Sequence, residues 1–263
     1  MKSESRIDAI LSIIMVNNSI TIKELTSKLN VSEMTIRRDI VLLEKANMIK
    51  RYHGGVIVAE RHTIVNRNPS YSLDQARTEH TAEKRGIAKL AASQIVPGDV
   101  IFLDSGSTVG YILDYVDTRV DLTIICYSLN IFNLAAGRPN THIIFSGGLY
   151  HPDSQCCDSQ EGLALIGRKR SSKAFISASG VHKDLGVTTP GQFDIPIKKA
   201  AIANSAQSFL LADSSKFGLV RLGHFAGLID FDTIISDNNL PEDWRTSLIE
   251  KGINILLASP INS

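Results

Sequence analysis

The chain has few cysteines, almost no net charge and no long apolar run. Its 263 residues include only Cys126, Cys156 and Cys157, too few for a disulfide framework. Lysines and arginines number 28 against 27 aspartates and glutamates, so no global field draws the whole chain to nucleic acid. No apolar run is long enough to span a bilayer, and the N-terminus lacks the basic-then-apolar order of a signal peptide. These absences exclude disulfide-rich secreted and membrane classes, and we expect a cytoplasmic protein with reduced thiols.

The same scarcity argues against a metal centre. His151, Cys156 and Cys157 are close in sequence, but adjacent cysteines are poor zinc-ligand spacing and no second Cys/His pair follows. We interpret these residues as part of a loop and expect neither a metal nor a cofactor. The length suggests roughly two domains.

Residues 20–55 do contain a pattern, and it is typical of a small DNA-binding module. Thr21 and Glu24 have the spacing of a capping box at the start of a short helix. Asn30 and Val31 predict a turn, and Ser32 is placed to cap the next helix. Upstream, one apolar stripe predicts a supporting helix: Ile7, Ile10, Leu11 and Ile14.

The second helix has the pattern of a recognition helix. Its apolar positions recur at helical spacing and predict a buried face: Ile36, Ile40 and Leu43. Arginines in the first turns of a capped helix suit the major groove, where N-terminal residues reach base edges and cations meet phosphates. We predict these DNA-binding residues in the helix and the hairpin after it: Ser32, Thr35, Arg37, Arg38, Arg51 and His53.

The stretch from Met48 to Val58 reads as strand, turn and strand, with Gly54 and Gly55 at the bend. This hairpin predicts the wing of a winged helix-turn-helix. The alternative for the arginines, a solvated face of a helical bundle, does not account for the wing. Residues 20–55 hold seven Lys/Arg against four Asp/Glu, so the module is only mildly basic. Specific binding would then depend on a second copy, and we expect a homo-oligomer.

The stretch VSEMTIRRDIVLLEKANMIKRYHGG closely resembles the signature of the DeoR family of bacterial sugar-metabolism repressors. The resemblance implies an α/β protein, with a winged helix-turn-helix followed by a mostly parallel α/β sensor domain similar to ribose-5-phosphate isomerase. It implies two partners, a double-stranded DNA operator and a phosphorylated sugar effector. We place the DNA-binding domain at residues 1–58, a linker at 59–78 and the sensor domain at 79–258.

The pattern of the C-terminal part agrees with that fold class. Residues 59–78 are polar, without sustained periodicity. Beyond them, apolar runs alternate with helix-like stretches, which indicates a mostly parallel sheet covered on both faces. The predicted strands are 100–103, 122–126, 142–145, 174–177, 209–212, 233–236 and 253–257. The predicted helices begin at 79 and lie near 107–117, 130–136, 159–167, 192–205 and 242–251.

Ligands of such sheets bind at loops that leave the carboxyl ends of strands. Two loops stand out, Asp104–Thr108 and Asp213–Gly218. Gly106 lets the backbone approach an anion, hydroxyls and free N–H groups can hold phosphate oxygens, and Lys216 adds a charge. Each loop alone is equally typical of an ordinary turn; the case rests on both being at equivalent places in one sheet.

Further strand ends could line the same cleft, although Gly147 and Gly148 suit a turn and His182 is as typical of a surface histidine. The family's Asp-x-Gly-Thr-Thr-type and SSKFG loops match 104–108 and 214–218. CYSLN, GVH and KFG resemble one branch of the family, and this resemblance implies a pentose or deoxypentose phosphate. The predicted ligand set is Asp104, Gly106, Ser107, Thr108, Ser128, Asn130, Gly147, Gly148, His182, Ser215 and Lys216. One departure is Asp194, a shorter acid where the family often has glutamate.

We therefore expect a DNA-binding transcriptional regulator, a repressor induced by a phosphorylated sugar, and not an enzyme. The linker is the expected moving segment. An isomerase-like enzyme fused to a DNA-binding module is the alternative, with Asp104 and Lys216 as acid and base. A DNA-binding architectural protein with an inert second domain is a third hypothesis.

Overall fold

The computed structural model describes residues 6–7, 9–11, 13–14, 19–45, 49–52, 55–58 and 72–261. Described residues between 6 and 14 are helical, and α1 (Ile22–Leu29) and α2 (Glu33–Lys45) follow. The capping box is present: Thr21 Oγ1 accepts from the N–H of Glu24, whose carboxylate accepts from the N–H of Thr21. Asn30 ends α1 with a φ of +50°, a left-handed conformation that asparagine tolerates.

The wing is a three-stranded antiparallel sheet in the order β1-β3-β2. Its strands are β1 (Ser19–Thr21), β2 (Ile49–Tyr52) and β3 (Gly55–Val58). The two strands of the predicted hairpin are confirmed, whereas residues 53 and 54 of its bend lie outside the described residues. The predicted apolar stripes meet in one core: Ile7, Ile10, Leu11, Ile14, Leu25, Ile36, Ile40 and Leu43.

A seven-stranded sheet forms the centre of the C-terminal part, in the order β15-β14-β12-β9-β4-β5-β6. Every neighbouring pair is parallel, and each predicted strand lies in this sheet. The strands of the C-terminal part are β4 (Val100–Leu103), β5 (Leu122–Cys126), β6 (Thr141–Phe145), β7 (Leu149–His151), β8 (Cys156–Asp158), β9 (Ser171–Ser177), β10 (Gly180–His182), β11 (Gly186–Thr189), β12 (Ser205–Leu211), β13 (Gly223–Ala226), β14 (Thr233–Asp237) and β15 (Asn254–Ala258).

Both faces of the sheet are covered, as the continuous apolar strands predict. Along β4, Ile101 and Leu103 enter one buried cluster, whereas Phe102 enters the cluster on the other face. The helices are α3 (Leu73–Thr78), α4 (Thr81–Ala92), α5 (Ser107–Gly110), α6 (Ile112–Tyr115), α7 (Leu129–Ala135), α8 (Gln160–Gly167), α9 (Ile195–Ala203) and α10 (Glu242–Glu250). Across the described ranges, no helix has the length and apolarity needed to cross a membrane.

Three features differ from the sequence prediction. Helix α3 lies inside the expected linker, where Ser72 caps it and Leu73 is buried; the rest of that segment, 59–71, lies outside the described residues. The β7–β8 hairpin and the β10-β11-β13 sheet were not predicted, because their strands of three or four residues are too short to show a period. The helix predicted near 107–117 is two short helices.

Candidate functional site

The exposed start of α2 carries most of the predicted DNA-binding residues. Ser32 Oγ lies 2.8 Å from Thr35 Oγ1 and accepts from the N–H of Thr35 at 3.3 Å, so it caps the helix. The Arg37 guanidinium lies 2.6 Å from the carboxylate of Glu33, one turn earlier. Arg38 is exposed and has no ion pair within the described ranges. Of the two arginines at the start of α2, Arg38 is therefore the more available to a phosphate or a base.

The wing contributes less than the sequence suggested. Arg51 is exposed on β2 but pairs with the carboxylate of Glu44 at 2.7 Å. His53 lies outside the described residues. Beneath this surface, buried Asp39 accepts from Arg6 at 2.5 Å and 3.1 Å, which ties the first helical segment to α2. This ion pair fixes the orientation of α2.

Asp104 follows β4 directly, as predicted, and is completely buried. Its carboxylate accepts from the Tyr127 hydroxyl at 2.6 Å, from the N–H of Ser177 at 2.8 Å and from Ser177 Oγ at 2.5 Å, and it pairs with the Lys198 ammonium. Burial alone would raise the pKa of Asp104, but Lys198 and these hydrogen bonds lower it below its ordinary value. Asp104 therefore remains ionised and organises the ends of β4 and β9.

Gly106 allows the β4 loop to lie against β9. A Cβ at this position would be 2.2 Å from the hydroxyl oxygen of Ser177, which is closer than atoms can approach. The next two residues, Ser107 and Thr108, are buried at the start of the four-residue helix α5. Glycine at 106 is therefore needed for close approach within the protein itself.

Ser128 and Asn130 come to the same edge after β5 and are buried. The Asn130 side-chain oxygen accepts from the Arg77 guanidinium at 2.6 Å. The Asn130 amide nitrogen and Ser128 Oγ have no hydrogen-bond partner in the described part of the chain. Two buried donors thus lie unused close to the predicted ligand loops.

Three other predicted ligand residues have local roles in turns. Gly147 and Gly148, with φ of +62° and +123°, form the turn between β6 and β7. His182 ends β10, and its Nδ1 accepts from the N–H groups of Asp184 and Leu185. Burial lowers the pKa of His182, and the side chain shapes a hairpin turn instead of lining the cavity described below.

The second predicted loop forms a 3₁₀ turn, Ser214–Lys216, capped by Asp213. Asp213 Oδ1 accepts from the N–H of Ser215 at 3.1 Å and from the Ser215 hydroxyl. Lys216 Nζ lies 3.9 Å from Asp213 Oδ2 and is about a quarter exposed. The loop therefore presents a positive charge that its own aspartate neutralises only in part.

Sequence reasoning did not identify a second cation near this loop. Lys84, in the first turn of α4, is buried and its ammonium donates to the carbonyl oxygen of Ala76. Burial lowers the pKa of Lys84; Asp213 opposes that shift, and Lys216 adds to it by repulsion. Lys84 and Lys216, the Lys84–Lys216 pair, are therefore close enough to interact electrostatically with each other, and Asp213, Glu79 and Glu83 offset the charge of Lys84.

A cavity of about 240 Å³ opens next to the Asp104 loop. None of the predicted ligand residues lines it. Its walls come from the β4 and β9 ends, the β7–β8 hairpin, and the segment between β11 and α9. The lining residues are Ser105, His151, Pro152, Asp153, Ser154, Ser177, Ser179, Thr189, Pro190, Gly191, Phe193, Asp194 and Lys198.

Two buried charged residues at the start of α9 line this cavity. Lys198 Nζ donates to Asp104 and to the carbonyl oxygen of Ser177 at 3.2 Å, and lies 3.9 Å from Asp194 Oδ2. Asp194 Oδ2 accepts from the Thr189 hydroxyl at 3.2 Å, whereas Oδ1 has no partner among the described residues. Burial raises the pKa of Asp194 to about 6, with Lys198 opposing and Asp104 reinforcing the rise. The i, i+4 spacing of these two residues was the sequence signal that could have identified them.

One wall of the cavity is a stacked pair of rings. The His151 and Phe193 centroids are 4.0 Å apart at an interplanar angle of 8°, and His151 Nε2 contacts the Asp158 carboxylate. Cys156 and Cys157, near His151 in sequence, are buried free thiols. Within the described ranges, no cluster of three or more His, Cys, Asp or Glu side chains is placed to hold a metal ion.

Comparisons with known proteins cover almost the whole chain. Residues 6–62 match the DeoR-like helix-turn-helix domain, and residues 79–238 match the DeoR C terminal sensor domain. The uncharacterized HTH-type regulator YgbI of Escherichia coli K12 is 32% identical over 95% of each chain. The deoxyribose operon repressor of the same strain is 32% identical over 92% of this chain and 93% of its own. IolR of Bacillus subtilis is 30% identical over 96% and 98%.

Solved structures give a weaker likeness, confined to part of the chain. Ribose 5-phosphate isomerase A from Methanocaldococcus jannaschii matches 51% of this chain and 53% of that chain, at 19% identity and a TM-score of 0.37. The Neisseria gonorrhoeae enzyme matches 53% and 54%, at 18% identity and a TM-score of 0.39.

Proposed function

The chain belongs to the DeoR family of DNA-binding transcriptional regulators, and we propose that it represses a sugar or nucleoside catabolic operon until a phosphorylated sugar releases it. It is a regulator and not an enzyme. The observation that carries the proposal is the division of α2 into a buried apolar face and an exposed face with Arg38. A helix of this kind reads operator DNA, and the wing and Arg37 support it on the phosphates.

The effector's phosphate binds between Lys216 and Lys84 in this proposal. Lys216 and Lys84 bring two cations to the carboxyl edge of the sheet, where α/β folds bind ligands, and Asp213 lies beside them. Ser107, Thr108, Ser128 and Asn130 supply hydroxyls and donors nearby. A pentose or deoxypentose phosphate remains the favoured effector, and the name of the deoxyribose operon repressor supports that choice.

Induction requires a route from the effector edge to α2. Leu185, in the β10–β11 turn, is buried in the apolar core of the winged helix-turn-helix, and Val220 packs against the same core. At the other end of β11, Thr189 lines the cavity. The four residues of β11 span about 10 Å from one end of the strand to the other. This hairpin is a second possible route beside the expected linker at 59–78, and ligand-dependent movement of it would alter the position of α2.

The proposal also covers the domain bounds, the oligomeric state and the location of the protein. We place the DNA-binding domain at residues 1–58 and the sensor domain at 79–258, as the sequence suggested. The regulator acts in the cytoplasm as a homo-oligomer, because one mildly basic module needs a second copy to bind two half-sites specifically.

Removing the cation at Lys216 tests the effector part of the proposal. A thermal-shift screen of sugar phosphates identifies compounds that bind the folded protein, because such ligands raise its stability. We expect Lys216→Ala to lower the affinity for the sugar phosphate found in the screen by about tenfold to a hundredfold, as for the loss of one charge-assisted contact. Lys84→Met, which keeps a similar side-chain volume, should have the same effect. Lys251→Ala, at an exposed turn, is the matched control.

Operator binding is measured in parallel by fluorescence anisotropy, using DNA from upstream of the chain's own gene. Without effector, Lys216→Ala should bind that DNA like wild type, since the winged helix-turn-helix is unchanged. If Lys216→Ala and Lys84→Met both respond normally to the effector of the wild-type protein, the phosphate site lies elsewhere. If no sugar phosphate stabilises the wild-type protein, the effector class is wrong.

A further inference from the structure

The cavity beside Asp104 and the Lys84–Lys216 pair differ in the sign of their charge. Lys198 is the only cation among the side chains that line the cavity, and it faces two carboxylates, Asp104 and Asp194. The buried group of three therefore has one negative charge in excess. An incoming phosphate would be repelled here, because charges interact strongly where water is excluded.

Asp194 holds the negative charge that is not compensated. Asp104 accepts four donors, including the Lys198 ammonium, whereas Asp194 accepts only the Thr189 hydroxyl through Oδ2. Asp194 lines the cavity, and its Oδ1 is buried and has no partner within the described ranges. A buried acceptor without a donor is costly and usually marks a place where a ligand supplies the missing bond.

The absence of a side chain at position 191 leaves room beside this oxygen. A Cβ at Gly191 would be 3.3 Å from Asp194 Oδ1 and 3.2 Å from the Phe193 ring, which is a crowded contact. Glycine therefore avoids crowding Oδ1 and the neighbouring cavity wall. The neighbouring lining residues Ser177, Ser179 and Thr189 carry hydroxyls, so this end of the cavity suits a small uncharged polyol.

We propose that Asp194 is a specificity-determining residue, whose Oδ1 accepts a hydrogen bond from a hydroxyl on the uncharged end of the effector. This inference rests on the proposed function, because it assumes a sugar phosphate effector. The phosphate lies at the Lys84–Lys216 pair and the sugar hydroxyls lie at Asp194. Lys198, which faces Asp194, contacts Asp104 and Ser177 at the ends of β4 and β9, and Lys216 follows β12, the neighbour of β9 in the sheet.

The test compares a sugar phosphate with inorganic phosphate. Calorimetric titrations of wild type and Asp194→Asn use the tightest-binding sugar phosphate from a panel that includes ribose 5-phosphate, deoxyribose 5-phosphate and glucose 6-phosphate, and use inorganic phosphate alone. We expect Asp194→Asn to lower the affinity for the sugar phosphate by about tenfold to a hundredfold, the usual range for a hydrogen bond to a charged group. Binding of inorganic phosphate should be unchanged, because it occupies only the cation pair.

The pH dependence of the affinity for the sugar phosphate provides a second test. It would not change if Asp194 had only a structural role. The ratio of wild-type to Asp194→Asn affinity should fall towards one below pH 6, where Asp194 takes up a proton. Taking the ratio removes the titration of the effector phosphate and of the other ionisable groups that face or line the cavity: Asp104, Lys198, His151, Asp153 and Tyr127.

The possible outcomes separate the two proposals. If no sugar phosphate binds the wild-type protein, the proposed effector class fails and this inference fails with it. If one binds and Asp194→Asn binds it equally well, the role of Asp194 is overturned while the proposed function stands. Equal weakening of sugar phosphate and inorganic phosphate also overturns it, because Asp194 would then act through the fold. Thr189→Val removes the hydroxyl that orients Asp194. It should lower the affinity for the sugar phosphate less than Asp194→Asn does, and it should leave the affinity for inorganic phosphate unchanged.

Discussion

Replacing Asp194 with asparagine should make the free protein more stable at neutral pH. Burial raises the pKa of this carboxyl from the ordinary 3.8 to about 6. Each pKa unit corresponds to about 1.4 kcal/mol of differential interaction, so the ionised side chain lowers the free energy of unfolding by up to about 3 kcal/mol. Asparagine keeps the shape of the neutral acid and removes this penalty.

The sign of the pH dependence follows from the raised pKa. Between about pH 4 and pH 6 the folded protein binds a proton that the unfolded chain has released, so the wild type loses stability as pH rises through this window. Asp194→Asn lacks this loss. The difference in free energy of unfolding between variant and wild type should be near zero below pH 4 and should level off above pH 6.

Urea denaturation at a series of pH values measures this difference, and thermal unfolding supplies a second measure. A gain of 3 kcal/mol corresponds to a rise of roughly 6–12 °C in the melting temperature of a domain of this size. Asp121→Asn, at an exposed aspartate directly before β5, is the matched control and should change neither value. A destabilised Asp194→Asn at pH 7, or a gain that does not vary between pH 4 and 6, would refute the reasoning.

Two further predictions concern DNA binding and its control. Arg38→Ala should weaken operator binding and, if the arginine contacts a phosphate, lower the slope of log affinity against log salt by about one; gel-shift titrations at several salt concentrations measure this, with Arg119→Ala as control. Unchanged affinity would remove Arg38 from the interface. Leu185→Ala should bind effector within about twofold of wild type but no longer release DNA at saturating effector, whereas Ile229→Ala, 75% exposed, should release it normally. Full release by Leu185→Ala would leave the linker as the only proposed route.

Much of the fold could be predicted because each element carries a local signal. The seven parallel strands appear as continuous apolar runs, since a strand buried on both faces needs apolar side chains in every position. The capping box at Thr21 and the stripe through Ile36, Ile40 and Leu43 are equally local, because helix geometry alone brings those residues together. Short strands such as β7 and β10 have no such signal and form only through their neighbours.

The candidate site was harder to predict because its groups meet only in the folded chain. Asp104 and Lys198 are 94 residues apart, and neither residue indicates the other in the sequence. The strand-end rule correctly brought Asp104 and Lys216 to one edge of the sheet, since carboxyl ends of parallel strands share an edge. It missed Lys84, which reaches this edge from the start of a helix, and it missed the segment before α9, which follows a strand of the small sheet.

The carboxylate oxygen without a donor, Asp194 Oδ1, offers a physical reason why effector binding can change the protein. A ligand shifts an equilibrium only through a difference in its free energy of interaction with the two states. Asp194 is destabilising while its Oδ1 is buried without a donor, and a hydroxyl of the bound effector would reduce that penalty only in the conformation that places the hydroxyl against Oδ1. Thr189 contacts Asp194 and belongs to β11, the strand whose other end adjoins Leu185 in the core beneath α2. The free energy released at the cavity is therefore available to the element that reaches the DNA-binding module, and the instability of the free cavity becomes part of the response.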